Sequence, residues 1–307
     1  MNAVRRPLPR EYRREIPSGP QFRQVNDILG GQALHTICHS GKCPNRGECF
    51  SRGSLAFMIL GDVCTRHCGF CAVKAGNPGG QVDWSEPRRL ARAAAGLRLR
   101  HVVVTSVARD DLADGGASVF AECIRELRIQ APEAVVEVLT PDYNGDWKAI
   151  DIVLDAQPDI FNHNMETVER LTPRVRSRAT YRRSLEVLDY IAQNRRSAAM
   201  KCKSGFMLGL GETPEEVRDL MHDLRAVSCD YLTIGQYLQP SAKHLPIQSF
   251  VPMDEFRRLE REARAMGFER VASGPLVRSS YFADRLHTPP SPATGQLART
   301  DHERIFE

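Results

Sequence analysis

The chain has 307 residues, of which 42% are hydrophobic and 26% are charged, so it can bury a sizeable core and most of it should be folded. Its formal net charge of +4 is too small to indicate nucleic-acid binding by itself. No apolar run approaches the roughly 20 residues that cross a bilayer, and no apolar stretch follows the N-terminal arginines, so we expect neither a membrane span nor a secretory signal.

Short apolar segments alternate with amphipathic helices along most of the chain. The predicted strands are 54–60, 101–106, 134–139, 159–162, 203–208 and 231–236. The predicted helices are 21–30, 85–97, 117–129, 147–155, 180–194, 213–227 and 252–266. Ser85 is a predicted N-cap, and Thr213 with Glu216 forms a predicted capping box.

This alternation predicts an α/β fold with a parallel sheet covered by helices. Six βα units, with no G-x-G-x-x-G after the first strand, favour a partial (β/α)6 TIM-type barrel over a dinucleotide-binding sheet. We assign the barrel to 54–272, an N-terminal extension to 1–53 and a C-terminal segment to 273–307. Residues 1–20 should form a surface arm, and the Pro-rich tail after Leu286 should be poorly ordered.

Polar segments follow the predicted strands at the end where barrel enzymes carry their chemistry. They are CTRHCGFC, SVARDDLADGG, NHNMET, GLGET and QYLQPS. The sequence therefore predicts one functional site at this end of the barrel.

Nine cysteines are present, and six of them lie between Cys38 and Cys71. Without a secretory signal, such clustering indicates metal or redox chemistry rather than disulfides, in a cytoplasmic or similarly reducing location. A mitochondrial transit peptide stays open, although Glu11 and Glu15 count against it. The scattered Cys123, Cys202 and Cys229 are expected to be buried as small hydrophobes.

Cys64, Cys68 and Cys71 form C-x3-C-x2-C within one loop. Iron–sulfur clusters usually take four thiolates, so three would leave one iron of a cubane cluster without a protein ligand. An open position is typical of a catalytic metal site. The alternatives are a zinc site with His67 as fourth ligand and a disulfide.

Cys38, Cys43 and Cys49 form a second group, C-x4-C-x5-C, whose spacing is less diagnostic. Pro44 and Gly47 suit a tight irregular loop between these cysteines. A zinc site that uses His35 or His39 remains an alternative.

The C-x3-C-x2-C loop with Phe70 before its last cysteine resembles the signature of radical S-adenosylmethionine (SAM) enzymes. Together with the preceding C-x4-C-x5-C group, the chain resembles the lipoyl synthase family from about Pro17 to Asp284. The shared motifs are SGPQF, LHT-C-CPN-EC, SVARDDLADGG, FNHNMETV, SGFMLGLGET, GQYLQPS and VRSSYFAD.

The resemblance implies two 4Fe-4S clusters and SAM as cofactors. Cys64, Cys68 and Cys71 would hold the SAM cluster. The other three cysteines, Cys38, Cys43 and Cys49, would hold an auxiliary cluster whose fourth ligand is Ser280, in the R-S-S-Y motif that begins at Arg278. A serine alkoxide is a harder ligand than thiolate and could leave more easily.

The activity implied by the resemblance is a sulfurtransferase reaction. A radical from SAM takes hydrogen from an octanoyl chain, the auxiliary cluster supplies sulfur, and a second SAM repeats the step to give lipoyl-lysine. The implied partners are an octanoylated carrier (a 2-oxoacid dehydrogenase E2 lipoyl domain or the glycine-cleavage carrier), an electron donor such as flavodoxin or ferredoxin, and an iron–sulfur carrier that rebuilds the cluster. No nucleic acid or membrane is implied.

The same resemblance suggests residues that contact SAM. A G-x-[apolar]-x-G-x-x-E pattern should contact adenine, further residues should contact ribose or methionine, and two cations could bind the SAM carboxylate. These candidates are Gly205, Met207, Gly209 and Glu212; Asn162, Asn164 and Glu166; and Arg174 and Lys203. Asp110, Asp111, Gly115 and Gly116 fall where the methionine amino group is bound in related enzymes. Plain turns remain an alternative for these segments, and Arg278 could be structural.

Two alternatives to this function remain. One is another sulfur-inserting radical SAM enzyme, similar to biotin synthase, and the other is a non-enzymatic metal-binding scaffold. The chain departs from the usual family pattern at His39-Ser40-Gly41 and at Phe282, and both departures could alter the solvent around the auxiliary cluster.

Overall fold

The computed structural model describes Pro9, Tyr12, residues 19–281 and Ala283. Helices within this part of the chain are α1 (Pro20–Gly31), α2 (Ile37–Ser40), α3 (Arg46–Ser51), α4 (Glu86–Gly96), α5 (Ala117–Gln130), α6 (Trp147–Asp155), α7 (Thr172–Val175), α8 (Tyr181–Gln193), α9 (Pro214–Ala226) and α10 (Met253–Ala265). Its strands are β1 (His35–Thr36), β2 (Ala56–Ile59), β3 (Val63–Cys64), β4 (Lys74–Ala75), β5 (His101–Ser106), β6 (Val135–Leu139), β7 (Ile160–Asn162), β8 (Lys201–Leu208), β9 (Tyr231–Gln236) and β10 (Arg270–Gly274).

The main sheet has the strand order β1-β2-β5-β6-β7-β8-β9-β10. Every neighbouring pair is parallel except β1 with β2. Consecutive parallel strands joined by helices wind in one direction, as in a barrel wall, and within the described chain β1 and β10 are its two edges. The predicted α/β fold is confirmed.

The sequence predicted six strands, but the parallel wall has seven, because β10 was missed. Its sequence, RVASG, begins with a charge and contains small residues, so it lacks the apolar run that marks a buried strand. β10 also extends to Gly274, two residues past the predicted barrel boundary. The edge strand β1 and the two-residue pair β3–β4 were not predicted either.

The helix caps show which local signals determined element boundaries. The capping box of α9 is confirmed: Thr213 Oγ1 accepts from the Glu216 amide at 3.3 Å, and the Glu216 carboxylate accepts from the Thr213 amide at 2.8 Å. Ser85 precedes α4 as predicted, but its side chain does not cap the helix. Instead its hydroxyl donates to Asp83 at 2.6 Å. The prediction that the Ser85 side chain caps the helix was therefore wrong.

The core lies between the sheet and the surrounding helices. All four residues of β2 are buried, as are the middle residues of β5 and β6. The predicted burial of Cys123, Cys202 and Cys229 is confirmed, since each is 0% exposed.

Several predictions concern residues outside the part of the chain that the structure describes. These are the arm over 1–20, apart from Pro9, Tyr12, Gly19 and Pro20, the tail after Leu286, and the departure at Phe282.

Among the described helices, none combines the length and apolarity that crossing a bilayer would require.

Candidate active site

A cavity of about 1070 Å³ opens at the carboxyl ends of the parallel strands. This volume is just above the range typical of small-molecule sites, so the cavity can hold more than one small ligand. Two groups of cysteines reach it: the loop trio, Cys64, Cys68 and Cys71, and the extension trio, Cys38, Cys43 and Cys49, of which Cys38 and Cys43 line the wall.

The loop trio is held by backbone groups of the barrel. Cys64 Sγ accepts from the amides of Arg66 at 3.4 Å and Ala108 at 3.3 Å. The carbonyl of Cys71 accepts from His244 Nε2 at 3.0 Å. Amide donors aimed at a sulfur stabilise its anionic form, which is the form that binds metal.

Arg66 ties the loop trio to the neighbouring strands. Its guanidinium lies 2.8 Å from Asp110 and 2.6 Å from the buried Asp142. Burial alone would raise the pKa of Asp142, but the Arg66 charge outweighs it and lowers that pKa to about 2. Thr65 Oγ1 also lies 3.1 Å from Asp110. The carboxylate of the candidate Asp110 therefore binds Arg66 and Thr65 of the loop that carries the trio.

The extension trio lies in and between two short helices. Cys38 is in α2 and Cys49 in α3, and both are less than 9% exposed. Burial, together with the nearby Cys43 thiol, raises the pKa of Cys38 to about 12. Burial likewise raises the pKa of Cys71 to about 12. Thiols this reluctant to ionise need a strong positive charge, such as iron, to become ligands.

The C-terminal segment closes over the extension trio. Asn45 Nδ2 donates to the carbonyl of Leu276 at 2.6 Å, and the hydroxyl of Tyr281 donates to Glu48 at 3.0 Å. Ser280 lines the same cavity as Cys38 and Cys43. The fold thus brings the predicted serine, the loop trio and two cysteines of the extension trio to one cavity, although they are far apart in sequence.

The donor set fits iron–sulfur clusters better than single metal ions. His35, His39 and His67 are all exposed, whereas none of the six cysteines is, so the histidines of the zinc alternatives are not enclosed with the cysteines. Within residues 19–281 no three His, Cys, Asp or Glu side chains converge on one metal ion. A four-iron cluster spreads its ligands over separate irons, so its thiolates need not meet at a point.

Four of the nine predicted SAM contacts line the cavity, namely Asn164, Glu166, Gly205 and Met207. A Cβ on Gly205 would lie 2.2 Å from Thr233 Oγ1. The backbone at Gly205 therefore makes a close contact, as predicted, but its partner is the neighbouring strand β9. Glu166 has a φ of 66°, a left-handed conformation that is uncommon outside glycine and often found at functional sites.

The other five candidates are not among the residues that line the cavity. Asn162 and Lys203 both bind the buried Glu137, at 3.0 and 2.8 Å. Glu212 accepts from the amides of Gly209 and Leu210, so it caps its own loop. The fifth candidate, Arg174, is exposed.

The remaining segment that the family resemblance singled out, around Asp110, lies next to the site rather than in it. Asp111 pairs with Arg109 at 2.9 Å. Gly115 and Gly116 have positive φ and directly precede α5. Asp110 and Gly115 also border a second cavity of about 400 Å³. Their observed contacts are those of a structural turn.

Sequence reasoning missed several polar residues of the cavity wall, among them His163 and Arg176. His163 Nδ1 is 2.9 Å from the Thr140 carbonyl, and its Nε2 is 3.0 Å from Ser184 Oγ. Arg176 Nη1 donates to the same Ser184 at 2.7 Å. Burial, reinforced by the Arg176 charge, lowers the pKa of His163 to about 4. Nothing in the run PRVRSR distinguishes Arg176 from its exposed neighbour Arg174.

Comparison with known proteins agrees with this geometry. Residues 58–224 match the Radical SAM superfamily. The lipoyl synthase of Symbiobacterium thermophilum is 51% identical over 292 residues, covering 90% of this chain and 89% of that protein. The lipoyl synthase of Caldanaerobacter subterraneus is 54% identical over 86% of this chain and 91% of its own. The mitochondrial lipoyl synthase of Nematostella vectensis is 45% identical, with coverages of 92% and 95%.

Solved structures share the fold at low sequence identity. Methylornithine synthase (PylB) aligns with a TM-score of 0.54 at 12% identity, over 82% of this chain and 70% of that one. Streptococcus suis SuiB bound to S-adenosylmethionine aligns with a TM-score of 0.53 at 13% identity, over 72% of this chain but only 50% of SuiB. These likenesses show a shared α/β fold with a mostly parallel sheet, and the curated relatives show the family. The chain belongs to the lipoyl synthase family of the Radical SAM superfamily.

Proposed function

We propose that this chain inserts two sulfur atoms into an octanoyl chain carried on a protein lysine, at carbons six and eight, and so makes lipoyl-lysine. One observation carries the proposal: the whole loop trio, Cys38 and Cys43 of the extension trio, and Ser280 line a single cavity. A substrate bound there can meet a hydrogen-removing centre and a sulfur source without leaving the site.

In this proposal the loop trio would hold a 4Fe-4S cluster, and the cavity beside these cysteines would bind SAM. That cluster and SAM supply the radical chemistry that removes hydrogen from an unactivated carbon. Asn164, Glu166, Gly205 and Met207 are proposed to bind SAM because they line the same space. Buried Arg176 is a further proposed partner for its carboxylate.

The chain's own apolar residues suit an aliphatic substrate and exclude water. Phe70, Leu238, Ile247 and Phe250 contribute to the cavity wall. The segment after β9 is held over the loop trio, since the amide of Leu245 donates to the Gly69 carbonyl at 3.0 Å. Apolar side chains around a reactive carbon centre limit its side reactions with water.

We propose that the extension trio and Ser280 hold the auxiliary cluster, which is consumed as the sulfur-donating substrate. The C-terminal segment supports this role because its contacts to Asn45 and Glu48 seat Ser280 beside these cysteines. Among the described residues the Ser280 hydroxyl has no hydrogen-bond partner, so it is available as a ligand.

The octanoylated carrier is proposed to be a 2-oxoacid dehydrogenase E2 lipoyl domain or the glycine-cleavage carrier. An electron donor such as flavodoxin or ferredoxin and an iron–sulfur carrier for rebuilding the cluster complete the proposed partners. A cytoplasmic location is proposed as well, in a compartment reducing enough to keep nine cysteines as thiols.

Incubation of the anaerobically reconstituted protein with SAM, a reductant and an octanoyl-lysine peptide tests the function. Mass spectrometry should find a product heavier by two sulfurs and lighter by two hydrogens. Cys123→Ser, a change of a buried cysteine outside both trios, is the matched control and should retain product formation. Protein that binds only zinc, or that cleaves SAM without inserting sulfur, contradicts the proposal.

The ligand assignment has its own test. Ser280→Ala should change the Mössbauer spectrum of the auxiliary cluster and leave the loop-trio cluster unchanged. Ser54→Ala, close to the extension trio in sequence but outside the cavity wall, is the control. An auxiliary cluster that is identical in Ser280→Ala and wild type shows that Ser280 is not a ligand.

A further inference from the structure

Lys203 is a charged side chain in the interior of the barrel. It is 0% exposed, and its Nζ lies 2.8 Å from Glu137 Oε1. The same Nζ donates to the backbone carbonyl of Ser279 at 2.7 Å. One ammonium group therefore connects β8 with β6 and with the C-terminal segment, at the residue before Ser280.

Polar side chains from three other strands contact the Glu137 carboxylate. Besides Lys203, Asn162 donates to Oε1 at 3.0 Å, and His101 Nε2 lies 3.1 Å from Oε2. Burial alone would raise the pKa of Glu137, but the Lys203 charge and the His101 contact outweigh it and lower that pKa to about 2. The carboxylate is thus held charged and immobile beneath Lys203.

Stability alone does not explain this pair. The interior of a barrel is normally filled by branched apolar side chains, and replacing a buried ion pair by apolar residues is often neutral or stabilising. What an apolar side chain cannot provide is a charge-assisted hydrogen bond to a carbonyl. In this barrel that carbonyl belongs to the C-terminal segment.

Ser279 is held on both of its polar groups. Its carbonyl accepts from Lys203, and its hydroxyl donates to Asn164 Oδ1 at 2.9 Å. The backbone just before it packs closely on β9, since a Cβ on Gly235 would lie 2.2 Å from the Val277 carbonyl. These contacts restrict Ser279, and the adjacent Ser280 lines the cavity.

We propose that Lys203 and Glu137 are a positioning pair that fixes the carbonyl of Ser279 and thereby sets the Ser280 hydroxyl beside Cys38 and Cys43. The inference rests on the proposed role of Ser280 as a ligand of the auxiliary cluster. It assigns Lys203 to the auxiliary cluster's ligand segment instead of the SAM carboxylate.

The double variant Glu137→Gln/Lys203→Met tests the pair in the reconstituted holoenzyme. Changing both residues avoids leaving an unpaired buried carboxylate, which would itself destabilise the barrel. Lys201→Met is the matched control, because it removes a lysine–glutamate pair on the same strand, with Glu269 at 2.7 Å, that lies at the surface. Hydrogen exchange is followed by mass spectrometry in the peptide covering 277–281, and the auxiliary cluster by Mössbauer spectroscopy.

The double variant should exchange about tenfold faster in 277–281 than wild type, the loss expected for a charge-assisted hydrogen bond. Exchange in α4 and α5 should be unchanged. The auxiliary cluster should become heterogeneous at one iron while the loop-trio cluster keeps its spectrum. Exchange in 277–281 that stays within about twofold of wild type, or that rises equally in Lys201→Met, overturns the proposal.

The single variant Glu137→Gln keeps Lys203. Hydrogen exchange in this variant tests the proposal if the double variant does not fold. It should give a smaller increase in exchange of the same peptide, and no increase there also overturns the proposal. Ser280→Ala separates this inference from the proposed function. If that variant leaves the auxiliary cluster unchanged, the ligand assignment fails, while the exchange data still decide whether the pair fixes the segment.

Discussion

The two cysteine trios are enclosed in different ways. The loop trio lies in one short segment, and its Cys64 sulfur accepts from amides at positions 66 and 108, both in loops of the barrel. The extension trio is closed by two hydrogen bonds between distant parts of the chain. Asn45 donates to Leu276, which is 231 positions away, and Tyr281 donates to Glu48, which is 233 positions away. The loop trio should therefore form with the barrel, whereas the extension trio is complete only when the C-terminal segment docks.

This difference suits the two proposed roles. A cluster that must be returned unchanged after each turnover benefits from a rigid local site. A cluster that is consumed must be rebuilt, and a site closed by a separable segment can open for that purpose. The two regions should thus respond differently to substitutions, even though they share one cavity.

Replacing one cysteine in each trio should have the largest effect on activity, and the effect should differ between the two trios. Cys68→Ala should abolish SAM cleavage, lowering its rate by about 1000-fold or more, because the chemistry depends on the cluster. Cys43→Ala should abolish lipoyl formation but retain SAM cleavage. Iron analysis and product detection by mass spectrometry check both. Loss of SAM cleavage in Cys43→Ala, with the loop-trio iron retained, contradicts the division of roles.

Gly205→Ala should have the next largest effect, and it acts on the barrel wall rather than on either trio. The added Cβ would lie 2.2 Å from Thr233 Oγ1, so overpacking should lower the free energy of unfolding by about 1–3 kcal/mol. Removing that oxygen in Gly205→Ala/Thr233→Ala should restore part of the loss. Chemical denaturation measures both, and a double variant less stable than Gly205→Ala contradicts the steric explanation.

Tyr281→Phe tests the closure of the extension trio. It removes the hydroxyl that donates to Glu48, a hydrogen bond to a charged group worth about 1.5–3 kcal/mol. The auxiliary cluster should be lost to a chelator several-fold faster, while the loop-trio cluster is lost at the wild-type rate. Tyr190→Phe, which removes a 2.9 Å bond to Asp151 elsewhere in the fold, is the control. Equal acceleration for both clusters contradicts separate enclosure.

The smallest expected effect is on how the free energy of unfolding depends on pH, through His163 in the cavity wall. Since burial lowers the pKa of His163 to about 4 from 6.5, the unfolded chain binds the extra proton between these values. The free energy of unfolding should therefore fall as pH falls, by roughly 1 kcal/mol between about pH 7 and pH 5.5. Denaturation of His163→Gln should show a smaller slope, whereas His222→Gln, at an exposed site on α9, should keep the wild-type slope.

Much of this architecture could be predicted from local signals. β5, β9 and α6 were predicted with their observed bounds, because each is an uninterrupted apolar run or a capped amphipathic segment. β10 was missed because it has no such run, and its burial comes from packing on β9. The cysteines could be identified because their spacing is short and their chemistry specific.

The rest of the site depends on contacts between distant parts of the chain. Lys203 was expected from the family resemblance to bind the SAM carboxylate, but sequence does not reveal that its anionic partner is Glu137. Arg176 could not be chosen over Arg174, since helix α7 and the turn after it decide which one faces the cavity. Ser280 came from family resemblance alone.

The central claim is that the extension trio's cluster supplies sulfur to a substrate activated at the loop trio in the same cavity. It is tested most directly by reconstituting the protein with sulfide enriched in a heavy sulfur isotope and allowing one turnover with an octanoyl-lysine peptide, SAM and reductant in natural-isotope buffer. The account predicts that both sulfurs of the lipoyl product carry the heavy isotope, and that Cys43→Ala makes no such product. A product that contains only natural-abundance sulfur contradicts it.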